Sequence, residues 1–147
     1  MEVIFTVYGE PQGKARPRVV RNRFTGKTVV YTPEKTMAYE EAVKQAFKEA
    51  AYNERMLNSF PLKEAVYIRV LAVFKVPIAT KDKREQMLYG EILPTKKPDC
   101  DNIAKIICDA LNGVAYDDDK QIVQLLVSKV YSVEPFVLVT ISDERIF

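Results

Sequence analysis

Between Lys96 and Gln121 the chain reads KKPDCDNIAKIICDALNGVAYDDDKQ. Asp99, Asp101 and Asn102 form a D-x-D-N pattern, Lys105 follows four residues past the second aspartate, and Asp117, Asp118 and Asp119 form an acidic turn before a strand-like run. Carboxylates gathered together repel one another unless they are protonated or bridged by a cation. The chain contains no histidine, which excludes a Ser-His-Asp triad, a His-Cys zinc site and an HNH-type histidine base. A metal here must be held by oxygen, and carboxylate, carbonyl and water ligands suit Mg²⁺, Mn²⁺ or Ca²⁺. Magnesium sites use one or two carboxylates and leave the remaining positions to water and substrate phosphate oxygens. The expectation is that Asp99, Asp101 and one of the later aspartates hold Mg²⁺ for an in-line displacement at phosphorus, with the Lys105 ammonium facing the same phosphate.

Rival readings of D-x-D can be tested on spacing. A calcium loop starting at Asp99 needs glycine at its sixth position and glutamate at its twelfth; Ala104 and Ala110 stand there. A phosphatase or glycosyltransferase D-x-D follows an apolar strand, whereas this one follows Lys96-Lys97-Pro98. Two structural roles compete. Asp101 could cap a helix N-terminus, and Asp101 with Lys105 could form a helix ion pair worth about 0.2–0.5 kcal/mol. Neither explains Asp99 or the acidic turn.

The elements that must position these residues follow from periodicity. Asp101 to Asn112 reads as a helix with Ile103, Ile106, Ile107, Ala110 and Leu111 on its apolar stripe, closed by Gly113. Asp101, Lys105, Asp109 and Asn112 then share the opposite face. Val3–Tyr8 reads as a strand and Glu64–Val76 as a long interior strand ended by Pro77. Thr32-Pro33-Glu34 reads as a helix start with Thr32 as N-cap. That helix runs to about Tyr52, with Tyr39, Val43, Ala46, Phe47 and Ala50 inward. A short helix is expected near 80–89, and Ile122–Tyr131 and Phe136–Ile141 read as a hairpin. The fold expected is α+β: one domain over 1–147, a mixed β-sheet with two main helices on it and a C-terminal β-hairpin.

Composition and charge bound the function. A chain of 147 residues with 48% apolar content supports one domain with a real core. No membrane span and no secretory signal are visible. Cys100 and Cys108 lie ~12 Å apart along a helix, too far for a disulfide, which points to a reduced, cytoplasmic setting. Residues 1–97 hold 18 of the 22 Lys and Arg, whereas residues 98–147 hold 4 of them and 9 of the 20 Asp and Glu. From Lys14 to Lys27 the chain carries Lys14, Arg16, Arg18, Arg21, Arg23 and Lys27 with no acid, and Asn22–Gly26 reads as the turn of a basic hairpin or as a mobile loop. Together with Lys96 and Lys97 this basic set predicts a phosphate-backbone grip, in which Phe24 and Tyr31 could stack on bases or sugars.

The run KPDCDNIAKIICDALNGVAYDDDKQI resembles the hallmark region of the RusA-type Holliday junction resolvases, phage-derived endodeoxyribonucleases. Their pattern of D-x-D-N, lysine four on, D-x-L-N-G and D-D-x-Q is filled by Asp99, Asp101, Asn102, Lys105, Asp109, Leu111, Asn112, Gly113, Asp118, Asp119 and Gln121. The segment from Gly9 to Arg18 and the Tyr31-Thr32-Pro33 helix start look like the Gram-positive and phage branch. The resemblance implies a homodimer that binds branched DNA and uses Mg²⁺, with Mn²⁺ as a substitute, to nick four-way junctions symmetrically. It implies essential roles for Asp99, Asp101, Lys105 and Asp119, with Asp118 the neighbouring acid and rival third metal ligand. Two alternatives remain at this point: a related Mg²⁺ nuclease acting on flaps or forks, and a DNA-junction-binding protein without turnover.

Overall fold

The computed structural model describes residues 1–147. Strands β1 (Glu2–Tyr8), β4 (Val66–Lys75), β5 (Ile122–Ser132) and β6 (Phe136–Ser142) form one mixed sheet in the order β1-β6-β4-β5. Strands β2 (Arg18–Arg21) and β3 (Thr28–Tyr31) form a separate antiparallel hairpin. The helices are α1 (Glu34–Asn53), α2 (Lys81–Leu88) and α3 (Cys100–Leu111). The α+β class and the mixed sheet with helices on it are as expected.

The core explains why each segment takes its form. Along β4 the alternate residues Val66, Ile68, Val70, Ala72 and Phe74 are buried, and on β1 so are Val3, Phe5 and Val7. They meet Val43 and Phe47 of α1 and the isoleucine stripe of α3 in one cluster. Phe47 packs edge-on against Phe5 and Phe60, with ring centroids 5.9 and 4.9 Å apart. Each fully buried side chain of this size contributes about 1.5–3 kcal/mol. Both main helices are thereby fixed to the same face of the sheet. No helix is long and apolar enough to cross a membrane.

Two local expectations need correction. Strands β5 and β6 are consecutive and joined by three residues, but they do not pair as a hairpin: β4 lies between them, parallel to β5 and antiparallel to β6. The short connection strides over the end of β4, where Val76 donates to the Ser132 carbonyl at 3.0 Å and Pro77 brings no N–H to extend the strand. The long apolar β4 needs partners on both edges, and this arrangement supplies them. At the start of α1, Pro33 rather than Thr32 is the N-cap, with extended ψ and no side-chain capping bond; Glu34 opens the helix.

On the other face of the sheet Tyr67 and Leu71 of β4, Leu126 and Val130 of β5, and Phe136 and Leu138 of β6 are only half-buried. Beside them Ile4 and Tyr8 of β1 are 52% and 84% exposed.

Candidate active site

The site is built on α3. Its apolar stripe faces the core at 0% exposure for Ile103, Ile106, Ile107, Ala110 and Leu111, so the helical period turns Asp101, Lys105 and Asp109 outward as a second stripe. Asp99 is the N-cap, with extended backbone (φ −71°, ψ 157°) and no capping bond from its carboxylate. Asp101 therefore stands in the first turn rather than at the cap, where the N-terminal end of the helix dipole favours its charge. Asp101, Lys105 and Asp109 line a cleft of about 460 Å³ between α3 and the start of β5, together with Asp119. Cys108 also borders it. Burial pushes the Cys108 thiol up to about 11, so it stays protonated near neutral pH and offers no thiolate.

The acidic turn is fixed by bonds that give each aspartate a different task. The buried Tyr116 hydroxyl donates to the Cys108 carbonyl at 2.6 Å, tying the turn to the last turn of α3. Gly113, at φ +77°, donates to the Tyr116 carbonyl at 2.8 Å, a conformation that suits glycine. Asp117 is drawn away to Lys63, 2.9 Å from its ammonium. Asp118 caps the short 3₁₀ turn Asp119–Gln121: its carboxylate accepts from the Lys120 N–H at 2.9 Å. That hydrogen bond holds the Asp118 carboxyl below the usual carboxylate range. Asp119 is the acid of this turn that lines the cleft.

Gln121, which the sequence marked only as a motif position, braces the whole turn. Its amide donates to the Leu62 and Glu64 carbonyls at 2.8 and 3.0 Å, and its oxygen accepts from the Asp118 N–H at 2.9 Å. The turn is thus locked to the segment leading into β4 as well as to α3.

The N-terminal segment closes the other end of the helix. Lys14 N–H donates to the Asn102 carbonyl at 3.1 Å. A Cβ on Gly13 would lie 2.9 Å from the Cβ atoms of both Asn102 and Pro98, so only glycine lets the backbone come this near. The Lys14 ammonium bonds to Glu40 of α1 and lies 3.3 Å from Asp109 of α3. Burial pulls its pKa down, but the hydrogen bonds to Glu40 and Asp109 outweigh this and raise it above the ordinary lysine value. Lys14 is therefore engaged inside the protein, unlike the arginines that follow it. Glu40 was not singled out in the sequence; it stands on a helix beside Glu41, and nothing local distinguishes the two.

The remaining predicted residues divide between three places. Asp99 lines a groove of about 800 Å³ with Arg16, Arg18, Lys35, Lys97 and Asn102. Arg21 and Arg23 lie further out on the exposed β2–β3 hairpin. Lys96 sits over the Phe74 ring, 5.5 Å from its centroid, a cation–π contact.

The structure therefore brings Asp101, Lys105, Asp109 and Asp119 to one cleft and sets Asp99 in a second groove. No three Asp, Glu or Cys side chains converge into a ready-made metal cage. Of the three carboxylates on the cleft, Asp109 is taken up by Lys14; the remaining pair, Asp101 and Asp119, fits Mg²⁺, which uses one or two carboxylates, retains several waters and takes substrate oxygens.

Residues 8–142 match the family model described as Endodeoxyribonuclease RusA. The chain is also 37% identical over 141 residues to the uncharacterized protein YqaN of Bacillus subtilis (strain 168), covering 95% of this chain and 94% of that one. With the D-x-D-N helix, the braced acidic turn and the basic N-terminal approach all inside the matched span, this chain belongs to the RusA family of endodeoxyribonucleases.

Proposed function

We propose that this protein is a Mg²⁺-dependent, structure-specific endodeoxyribonuclease that resolves four-way DNA junctions by paired symmetric nicks. The observation that carries the reading is the convergence of Asp101, Lys105 and Asp119 on one cleft, beside a groove lined by Arg16, Arg18 and Lys97. Asp101 and Asp119 would hold the cation, while Asp99, with its carboxylate free of any capping bond, lines the neighbouring groove and is the further acid that the family resemblance marks as essential. When bound, Mg²⁺ or Mn²⁺ supplies Lewis acidity toward a phosphate oxygen and lowers the pKa of water. Lys105, one turn along α3 from Asp101, offsets charge that develops on the non-bridging oxygens. Asp118 supports the site by shaping the turn that presents Asp119. Arg16, Arg18, Arg21, Arg23 and Lys97 run the backbone into the cleft by charge, which gives salt-sensitive affinity with little sequence preference.

Paired nicks need two sites related as the two halves of a junction are, and a two-fold homodimer meets that requirement. The half-buried apolar strip on the open face of the sheet offers a surface for it. Two free cysteines fit a reducing compartment such as the cytoplasm. The test is incubation of the purified protein with end-labelled four-way, forked and linear DNA, with Mg²⁺ or with EDTA. Symmetric nicks in the four-way substrate, abolished by EDTA, are expected. Cleavage confined to forks would replace junction resolution with flap or fork cutting, and binding without cleavage would remove the enzyme reading.

A further inference from the structure

The β2–β3 hairpin stands off the core with every residue from Arg16 to Tyr31 exposed, and at its tip Phe24 is 98% exposed. That exposure is built in. Asn22 Oδ1 accepts from the N–H groups of Phe24 and Thr25 at 2.9 and 3.3 Å. Gly26, at φ +68°, donates to the Asn22 carbonyl at 2.9 Å, and Asn22 N–H donates to Lys27 at 2.8 Å. The turn is closed by its own backbone and Asn22, so the ring is displayed without being packed. Arg21, Arg23 and Lys27 flank it in the chain, and no acid occurs between Glu10 and Glu34. A protein partner with an apolar pocket would account for the phenyl ring but not for these one-signed flanks. A polyanion accounts for both, because a nucleic acid presents phosphates and, where its stack is broken, flat apolar bases.

The hairpin is also tied to the cleft. Its first strand continues from the segment whose Gly13 and Lys14 press against Asn102, and Arg16 and Arg18 line the groove holding Asp99. Four residues of strand at ~3.3 Å each put the tip on the order of 15 Å beyond that groove, about four to five base steps along a duplex at 3.4 Å each.

We infer that Phe24 is a base-stacking probe that inserts where DNA strands branch, so that the hairpin tip selects broken stacks over continuous duplex and sets where the cleft sits. This rests on the DNA-cleaving reading above. Stacking of one base on an aromatic ring is strong enough to discriminate by about five- to 150-fold, whereas the flanking arginines bind phosphates of any duplex.

The chain contains no tryptophan, so Phe24→Trp introduces a single tryptophan at the tip, excited at wavelengths where the eight tyrosines do not absorb. The variant is titrated in EDTA with a four-way junction and with a duplex of equal length, while anisotropy of the labelled DNA reports binding independently. Strong quenching of the tryptophan at saturation on the junction and little on the duplex is the expected result. Phe24→Ala should weaken junction binding by about five- to 150-fold and leave duplex affinity and melting temperature unchanged. Saturated junction binding with unquenched emission would overturn the stacking role and leave the junction reading intact. Emission that is already blue-shifted without DNA and varies with protein concentration would overturn it in favour of a second copy of this chain. Equal affinity of the wild type for junction and duplex would remove both the stacking role and the junction reading.

Discussion

Replacement of Lys14 by methionine keeps an unbranched stem as far as Cε and removes the ammonium, and the structure sets how much that should cost. The ammonium bonds to Glu40 and lies 3.3 Å from Asp109, with the three side chains 17%, 18% and 32% exposed. At an effective dielectric constant of about 20, Coulomb attraction at this separation is about 5 kcal/mol per pair, and desolvation of the three groups offsets most of it. Hydrogen bonds to charged groups contribute about 1.5–3 kcal/mol net, and the variant also leaves Glu40 and Asp109 facing each other unbridged. A loss of about 2–3 kcal/mol follows, or a fall in melting temperature of about 4–12 °C for a chain of this size. Adding Glu40→Gln to Lys14→Met should recover more than half of it. The pH dependence has a definite sign. Because the folded pKa of Lys14 is raised, its stabilisation is fully present below the unfolded lysine value of about 10.4 and is lost as pH rises through the higher folded value. The gap between wild type and Lys14→Met, measured by urea denaturation, should be flat from pH 7 to 9 and close above about pH 10.5. An unchanged midpoint at pH 7, or a gap that persists unaltered at pH 11, would refute the bridge.

Three further substitutions probe the parts separately. Arg21→Ala with Arg23→Ala should weaken binding of any DNA and make the slope of log K against log salt shallower by about 2, one for each lost phosphate contact; an unchanged slope would take both residues off the backbone. Tyr116→Phe removes the 2.6 Å bond to Cys108 and should cost about 1–3 kcal/mol, read as a lower urea midpoint at constant m-value. Its junction-cleavage rate should fall as well, because the bond ties the Asp119 turn to α3. Gly13→Ala forces a Cβ to within 2.9 Å of Asn102 and Pro98; it should lower the melting temperature and the cleavage rate together, and a neutral result would show that the segment can move away freely.

Much of this site could be read from residue order because its logic is local. Helical spacing alone puts Asp101, Lys105 and Asp109 on one face, since the isoleucines three and four residues apart claim the other. The turn residues Asn22 and Gly26 allow a hairpin as well as a loop, and only the pairing of β2 with β3 decides between them. Contacts between distant segments were not legible. Lys14 reads as one more basic residue in a basic run until α1 brings Glu40 to it and α3 brings Asp109. The three consecutive aspartates look equivalent in the sequence and become distinct only when Lys63 takes Asp117, the capped turn takes Asp118 and the cleft receives Asp119. The supposed C-terminal hairpin failed for a related reason: a short connection between two strands suggests pairing, but it cannot reveal that β4, some fifty residues earlier, needs both of its edges filled. Asp99 and Asp101 are two residues apart in sequence and face different grooves, because the chain turns from extended to helical between them.

The central claim is that carboxylates on this cleft bind the metal that cuts DNA, and Asp101→Asn tests it most directly, since the change is isosteric and removes one charge at an exposed position. The measurement is nicking of an end-labelled four-way junction in Mg²⁺, paired with junction binding in EDTA. Nicking should be abolished while the binding constant stays at or slightly above the wild-type value, because a negative charge near the phosphates is gone. A variant that nicks at the wild-type rate would contradict the assignment of this cleft as the catalytic centre.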